Sequence, residues 1–175
     1  FGSGETLFPG VYDVAGAASI AGTLTLDGNN EINPIFIVRA NGGAFNTGAG
    51  TNVILTNGAT AKNVFWIADG AAGLGAGTNI SGILFSHGAA VAVGDSTING
   101  RLLTTAGAIS YGPSALTLPT GNSIIDFRSL SNFIMFTSLG GVANTGASVY
   151  NGDIGTGGGA ITCLLSTSDA ADDLR

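Results

Sequence analysis

The amino-acid sequence predicts an all-β fold, a three-sided, right-handed parallel β-solenoid, from three observations. A short unit of small residues recurs as GAGTN at 48–52 and 75–79 and as GDSTI at 94–98. The segments NISGILFS at 79–86 and TINGRLLT at 97–104 are near matches, 18–19 residues apart. Glycine is abundant at 30 of 175 residues, whereas charged residues make up 9% and hydrophobic residues 45%. A short fixed period indicates a solenoid, in which neighbouring coils bury each other.

Strands are predicted along most of the chain, because apolar or alternating runs are separated by Gly, Asn and Pro. They fall at 7–14 and 19–26, at NPIFIVRA (33–40), at NVILTNGA (52–59), at NVFWIADG (63–70), in coils at 71–87 and 89–106, and at AISYGPSALTLP (108–119). Residues 124–141 form a longer apolar segment that suits either a helix or strands, and 144–162 returns to the coil pattern. No segment between 7 and 119 has a helical period.

Charge and residue types exclude several classes of function. The net charge is −6 and the five basic residues are scattered, so the chain lacks the cationic surface that nucleic acids require. No apolar stretch is long enough to span a bilayer. His87 is the only histidine and Cys163 the only cysteine, and neither has a partner at metal-ligand or catalytic spacing. The carboxylates, among them Asp69, Asp95 and Asp153, do not recur at the coil period, so neither an enzyme, a metal site nor a cofactor is expected.

The repeat instead predicts a flat surface of short, uncharged side chains. If Ile80 and Ile98 point into the core, then the residues beside them point outward at the spacing of neighbouring strands. Such a rank suits an ordered partner with its own repeat, either ice or a crystalline polysaccharide, although ordinary solvent-facing residues would show the same pattern. The candidate ice-binding residues are Ser19, Thr51, Asn52, Thr78, Asn79, Ser81, Thr97, Asn99 and Asn151.

Several segments resemble one known family, the microbial ice-binding (antifreeze) proteins of the DUF3494 type. The resemblance covers most of 5–119 and lies in ETLFPGVYDV, GTLTLDG, VILTNGA, NVFW and GRLLTTAGAIS. It implies a three-sided β-solenoid with one long helix alongside it. It also implies a secreted or cell-surface protein that adsorbs to ice through a flat solenoid face and inhibits ice growth and recrystallisation, without cofactor or turnover.

The order of segments departs from the family pattern. Residues 1–119 resemble carboxy-terminal coils, whereas 130–162 resembles the family's amino-terminal segment. The chain is therefore expected to be a tandem junction or a permuted unit, with 120–162 extending the solenoid and the long helix largely missing. The tail CLLSTSDAADDLR at 163–175 resembles a translated sequencing adapter, so we do not expect it to be part of the natural protein.

Two other functions stay open at the level of sequence. A non-catalytic adhesion or polysaccharide-binding module of a tandem-domain surface protein is the first alternative, because 120–162 resembles the start of a second copy. A polysaccharide lyase or hydrolase built on a solenoid is the second, and it would require three or more carboxylates grouped on one face.

Overall fold

The computed structural model describes residues 1–92, 94–121 and 124–162, and it is almost entirely β. Parallel strands alternate with tight corners, and the helical elements among these residues are two short 3₁₀ helices, Ala61–Asn63 and Arg128–Leu130. The strands are β1 (Glu5–Leu7), β2 (Gly10–Ile20), β3 (Thr23–Asp27), β4 (Phe36–Thr47), β5 (Asn52–Thr56), β6 (Val64–Ala68), β7 (Ala72–Leu74), β8 (Asn79–Ser86), β9 (Ala90–Ala92), β10 (Ser96–Thr104), β11 (Ile109–Tyr111), β12 (Ser114–Thr117), β13 (Phe133–Thr137), β14 (Val142–Asn144), β15 (Val149–Asn151), β16 (Asp153–Thr156) and β17 (Ile161–Thr162). This architecture confirms the predicted all-β parallel solenoid.

The strands wind into seven coils with three faces. We call the first the apolar face; it contains the first parts of β2 and β4, then β6, the second parts of β8 and β10, β13 and β16. The small-residue face contains the ends of β2 and β4, then β7, β9, β11, β14 and β17. The Asn/Thr face contains β1, β3, β5, the first parts of β8 and β10, β12 and β15. Every pairing is parallel, so each residue stacks on its counterpart one coil away.

Alternate residues of each strand point into a narrow core, because side chains of a strand alternate between its two sides. Ile80 and Ile98 both lie inside, as the sequence predicts, and are 2% and 1% exposed. Trp66 fills the centre, stacked on Phe45 at a ring-centroid distance of 5.3 Å. Its indole Nε1–H donates to the carbonyl oxygen of Ser81 at 3.0 Å, so the one polar atom of this ring is satisfied.

The corners between faces are stabilised by buried hydroxyl groups. Thr78 Oγ1 donates to the carbonyl oxygen of Gly75 at 2.6 Å, and Thr51 makes the same bond to Gly48 at 2.8 Å. At another corner the threonine precedes the glycine in the sequence, and its hydroxyl oxygen is the acceptor: the backbone N–H of Gly107 donates to Thr104 Oγ1 at 3.0 Å. These short bonds add side-chain partners to polar groups of the corner backbone.

Residues 118–121 and 124–132, which we call the strap, cross the apolar face between β12 and β13. Arg101 anchors this strap: the residue is 6% exposed, and its guanidinium donates to the carbonyl oxygens of Leu130, Ser131 and Phe133. The Phe127 ring packs 5.1 Å from the same guanidinium. Three outward-pointing apolar residues of the face lie beneath the strap and are buried, namely Phe65, Ile83 and Leu103.

The strands beyond residue 119 continue the stack. β12 pairs with β15, β10 pairs with β13, and β13 and β14 pair in turn with β16 and β17. The segment 124–141, for which the sequence left helix or strand open, contains the 3₁₀ helix Arg128–Leu130 and strand β13. The tail 163–175, with Cys163, lies outside the described residues.

Candidate functional surfaces

The small-residue face presents two rows of short side chains. In the first row, each residue comes directly before an inward-pointing residue in the sequence. This row consists of Ala17, Ala44, Ala71, Ala89, Ala108, Gly141 and Ala160. The other lies at the outward centre of the strands and includes Ser19, Asn46, Gly73, Ser110, Ala143 and Thr162. None of the side chains named in these two rows is longer than that of asparagine, so the surface that they form is flat.

This face is also uncharged and rigid. None of the residues named in its two rows carries a charge. Each strand is hydrogen-bonded to the coil before and after it, except at the two ends of the described stack. With neighbouring strands about 4.8 Å apart, seven coils give a face roughly 29 Å long. Its regular spacing is therefore set by the backbone and not by flexible side chains.

The Asn/Thr face carries two rows of mixed side chains. One row runs through Thr23, Asn52, Asn79, Thr97, Ala115 and Val149. Adjacent amides bond along it, with Asn79 Nδ2 donating to Asn52 Oδ1 at 3.0 Å. The second row includes Thr25, Ile54, Asn99, Thr117 and Asn151. Ile54 and Val149 interrupt the polar pattern, because both are apolar side chains that are exposed to solvent, by 40% and 77%. The carboxylate of Asp27 lies at the end of β3 on the same face.

The structure separates the nine predicted site residues into three groups. Five lie on the Asn/Thr face, namely Asn52, Asn79, Thr97, Asn99 and Asn151. Ser19 lies on the small-residue face. Thr51, Thr78 and Ser81 are buried, with exposures of 0%, 1% and 9%.

Burial corrects the prediction for Thr51 and Thr78, because neither hydroxyl is available to an external surface. Each is turned inward to the carbonyl oxygen three residues earlier in the chain. Thr78 Oγ1 also lies 2.9 Å from Thr47 Oγ1 inside the solenoid. Ser81 was expected to point outward, but it is covered at the end of the Asn/Thr face beside the loop that precedes β6.

The sequence contains a signal for the small-residue face that composition alone does not reveal. A small residue, then an inward residue, then another small or polar residue recurs once per coil in most coils, as in Ala17–Ser19, Ala71–Gly73 and Ala108–Ser110. Thr51 and Thr78 each lie at a corner three residues after the glycine that they bond, whereas Thr97, three residues after Gly94, is exposed, so this spacing alone does not separate corner from surface. Both patterns need the coil register before they can be interpreted.

The ionisable side chains lie mainly on and beside the apolar face. Arg39 bonds Asp13 on the neighbouring coil at 2.5 Å, and this bond lowers the pKa of the Asp13 carboxyl from its ordinary value. Burial lowers the pKa of Arg101. His87 is exposed at a corner, where its Nδ1 lies 2.7 Å from Thr105 Oγ1.

The described residues contain no group of three or more His, Cys, Asp or Glu side chains that could hold a metal ion. In the same part of the chain, no helix has both the length and the hydropathy that crossing a membrane requires.

Comparison with known proteins agrees with this architecture. Residues 2–117 match the family model described as ice-binding-like. An ice-binding protein of Nostoc sp. is 35% identical over 108 residues, which are 61% of this chain and 39% of that protein. An ice-binding protein of Colwellia sp. is 32% identical over 117 residues, which are 67% of this chain and 45% of that protein. The chain thus spans less than half the length of these curated relatives.

Solved structures show the same similarity. The crystal structure of the ice-binding protein from the Antarctic ascomycete Antarctomyces psychrotrophicus superposes with a TM-score of 0.62 at 34% identity, covering 70% of this chain and 58% of that one. The ice-binding protein from an Antarctic Flavobacteriaceae bacterium superposes with a TM-score of 0.64 at 29% identity, covering 94% of this chain and 44% of that one. The family model covers most of the chain, and the solenoid agrees with these structures, so the chain belongs to the ice-binding-like family.

Proposed function

We propose that this chain is a non-catalytic ice-binding protein that adsorbs to ice through its small-residue face. The observation that carries the proposal is the pair of uncharged rows that runs in register along the coils of this face. The relatives named above are ice-binding proteins, which supports the same activity for this chain.

The physical argument starts from the partner, which is a rigid crystal of neutral water molecules. A face that is flat and inflexible can contact many lattice sites at once and loses little side-chain entropy on adsorption. Alanine and glycine have no side-chain rotamers to order, and serine has few. Charged groups would have to give up hydration water at such a contact, which costs free energy. The small-residue face meets each of these requirements.

The Asn/Thr face, where five of the predicted residues lie, meets them less well. Ile54 and Val149 project between its polar groups, and Val149 is largely exposed. Asp27 adds a carboxylate at one end. The amide side chains of Asn52 and Asn79 already bond to each other. Substitutions on the two faces can therefore show which face contacts ice.

Matched substitutions in the same coil test this choice. Ser110 in β11 lies at the centre of the small-residue face, and Thr97 in β10 lies on the Asn/Thr face. Ser110→Tyr places a bulky ring on the proposed contact, so thermal hysteresis and inhibition of recrystallisation should fall strongly, because the ring holds the neighbouring rows away from the ice surface. Thr97→Tyr should leave both activities near those of the unchanged chain.

Both variants are compared at equal fractions of folded protein, measured by circular dichroism. Loss of activity in Thr97→Tyr with retention in Ser110→Tyr would assign the contact to the Asn/Thr face. Absence of hysteresis in the unchanged chain, together with retention on insoluble glycans, would support a polysaccharide-binding module in place of ice binding.

We further infer that the protein acts outside the cell or at its surface, where it meets growing ice. We also propose that 120–162 is a unit related to the family's amino-terminal segment that follows carboxy-terminal coils. The parallel pairing of β13 to β10 and of β15 to β12 supports this arrangement, because the strands join the stack without a break.

A further inference from the structure

Four asparagines in this chain are followed directly by glycine: Asn41, Asn57, Asn99 and Asn151. The Asn-Gly pair is chemically labile, because glycine has no Cβ to shield its backbone nitrogen from the preceding side chain. We propose that Asn151 is a site of spontaneous deamidation in the folded protein, and that the coil structure protects the other three.

The reaction needs only water. The backbone nitrogen of Gly152 loses its proton and attacks the side-chain carbonyl carbon Cγ of Asn151. The C–N bond of the side-chain amide breaks, ammonia leaves, and a five-membered succinimide ring remains. Water then opens this ring at either carbonyl group, producing aspartate or isoaspartate at position 151. No residue is oxidised or reduced.

Asn151 lies in the seventh and last coil that the structure describes. It ends β15, which is paired with β12 on one side only within the described residues, and both Asn151 and Gly152 are exposed. Its Oδ1 accepts a hydrogen bond from the backbone N–H of Leu118 at 2.7 Å. This bond draws electron density from Cγ and makes the carbon a better target for attack. Within the part of the chain that the structure describes, a strand that is paired on one side only opens at low free-energy cost.

Asn99 is a matched comparison inside the same molecule. It lies in the same row of the Asn/Thr face, two coils away, because Asn99 pairs with Thr117 and Thr117 pairs with Asn151. However, β10 is paired on both sides, and Gly100 is buried against the carbonyl of Gly82. The backbone there cannot rotate toward the side chain without breaking two rows of hydrogen bonds.

Hydrogen bonds restrain the remaining two Asn-Gly sequences, at Asn41 and Asn57. The backbone N–H of Gly42 donates to Asp69 Oδ2 at 2.7 Å, so the nitrogen that would attack Asn41 is held by a neighbouring coil. The amide of Asn57 donates to both carboxylate oxygens of Asp27, each at 2.9 Å. This side chain is therefore fixed in a tight turn, in which Asn57 and Gly58 both have positive φ.

The modification would change the last described coil. A carboxylate at position 151 adds one negative charge and lies two residues from Asp153 in the same coil. Isoaspartate would also lengthen the backbone by one methylene and shift the register of β15 against β12. Both changes fall on the Asn/Thr face, so they leave the small-residue face in place.

The experiment follows each Asn-Gly pair during incubation of the purified full chain at mildly alkaline pH. Peptide mapping by mass spectrometry, with separation of aspartate from isoaspartate, gives a conversion rate for each site. Conversion at Asn151 should exceed that at Asn99 by about tenfold or more, as expected for an open edge against a paired strand. Asn151→Gln should remove the fastest phase, since glutamine would have to form a less favourable six-membered ring.

The same measurement in concentrated urea distinguishes the effect of the fold on each deamidation rate from the effect of the local sequence. All four sites should then convert at similar rates, because pairing and burial are gone. The proposal is overturned if Asn99, Asn41 or Asn57 converts as fast as Asn151 in the folded chain, or if Asn151 remains much faster in urea. An unchanged overall rate in Asn151→Gln would overturn it as well.

Discussion

Threonine residues in this protein have two distinct roles that their sequence context only partly separates. Thr78 lies inside a corner, where its hydroxyl bonds the carbonyl oxygen of Gly75. Thr97 follows one coil later in a similar sequence, yet its side chain is exposed on the Asn/Thr face. The difference is one residue of phase, because side chains of a strand alternate between inside and outside.

Thr78→Val tests whether the hydroxyl group of Thr78 stabilises its corner. Valine has nearly the same shape but cannot donate, so the carbonyl oxygen of Gly75 loses a buried bond. The free energy of unfolding should fall by about 1–2 kcal/mol. Thr97→Val, the matched surface change, should alter it by no more than about 0.5 kcal/mol.

Urea denaturation followed by fluorescence of Trp66 measures both variants. The proposed ice-binding activity should be the same in Thr78→Val as in the unchanged chain when both are folded. Equal destabilisation by the two variants, or loss of activity in folded Thr78→Val, would contradict the assignment of Thr78 to a corner.

At the scale of the element, the strap shows how a loop covers the outward apolar side chains of paired strands. Its Phe127 packs on Arg101 and Phe85, and it covers Phe65 and Ile83. The Arg101 guanidinium sits among three carbonyl oxygens, which suits a planar group with donors on several sides. A single side chain therefore connects the fifth coil to the strap.

Arg101→Met tests this connection. Methionine fills similar space but leaves three carbonyl oxygens without their donor, so the free energy of unfolding should fall by about 2–4 kcal/mol. Limited proteolysis should cut within 118–132 sooner than in the unchanged chain. Arg39→Met is the control, because Arg39 is exposed and pairs with Asp13 across the surface. The role of Arg101 is disproved if the strap is cut no faster in Arg101→Met than in Arg39→Met.

At the scale of the whole molecule, stability comes from stacking one coil on the next. Most contacts join residues far apart in sequence but adjacent between coils. The inward residues form one continuous cluster from Leu7 to Val142, so no coil has a core of its own. The stability of such an array is close to a sum over coils and the interfaces between them.

A chain that ends at residue 119 tests the contribution of β13–β17. It would expose the inward residues Leu102, Ile109 and Tyr111, which β13 and β14 now cover. Both the free energy of unfolding and its dependence on urea should decrease, because less surface is buried on folding. The shorter small-residue face should also bind ice more weakly. Equal stability of the two chains would show that β13–β17 do not form part of the cooperative stack.

The repeat in the sequence was sufficient to predict the fold, because an 18–19-residue period with Gly-rich corners and inward Ile80 and Ile98 suits few other architectures. It also predicted the strands of 52–106 within a few residues, whereas β4 continues to Thr47, well beyond the predicted end at residue 40. The segment 124–141 remained open between helix and strand, since its apolar residues satisfy both patterns. Only the pairing of β13 with β10 decides it.

The candidate surface was predicted only in part. Residue type alone drew attention to threonine and asparagine, whereas Thr51 and Thr78 face inward and the flattest face is made of alanine, glycine and serine. The sequence by itself determined that the chain is a solenoid with uncharged, regularly spaced side chains. The tertiary structure alone decided which of these side chains share a face. The reason is physical: residues such as Ser19 and Asn46 become neighbours through parallel pairing between coils, and their register depends on corners and bulges that shift the alternation by one residue.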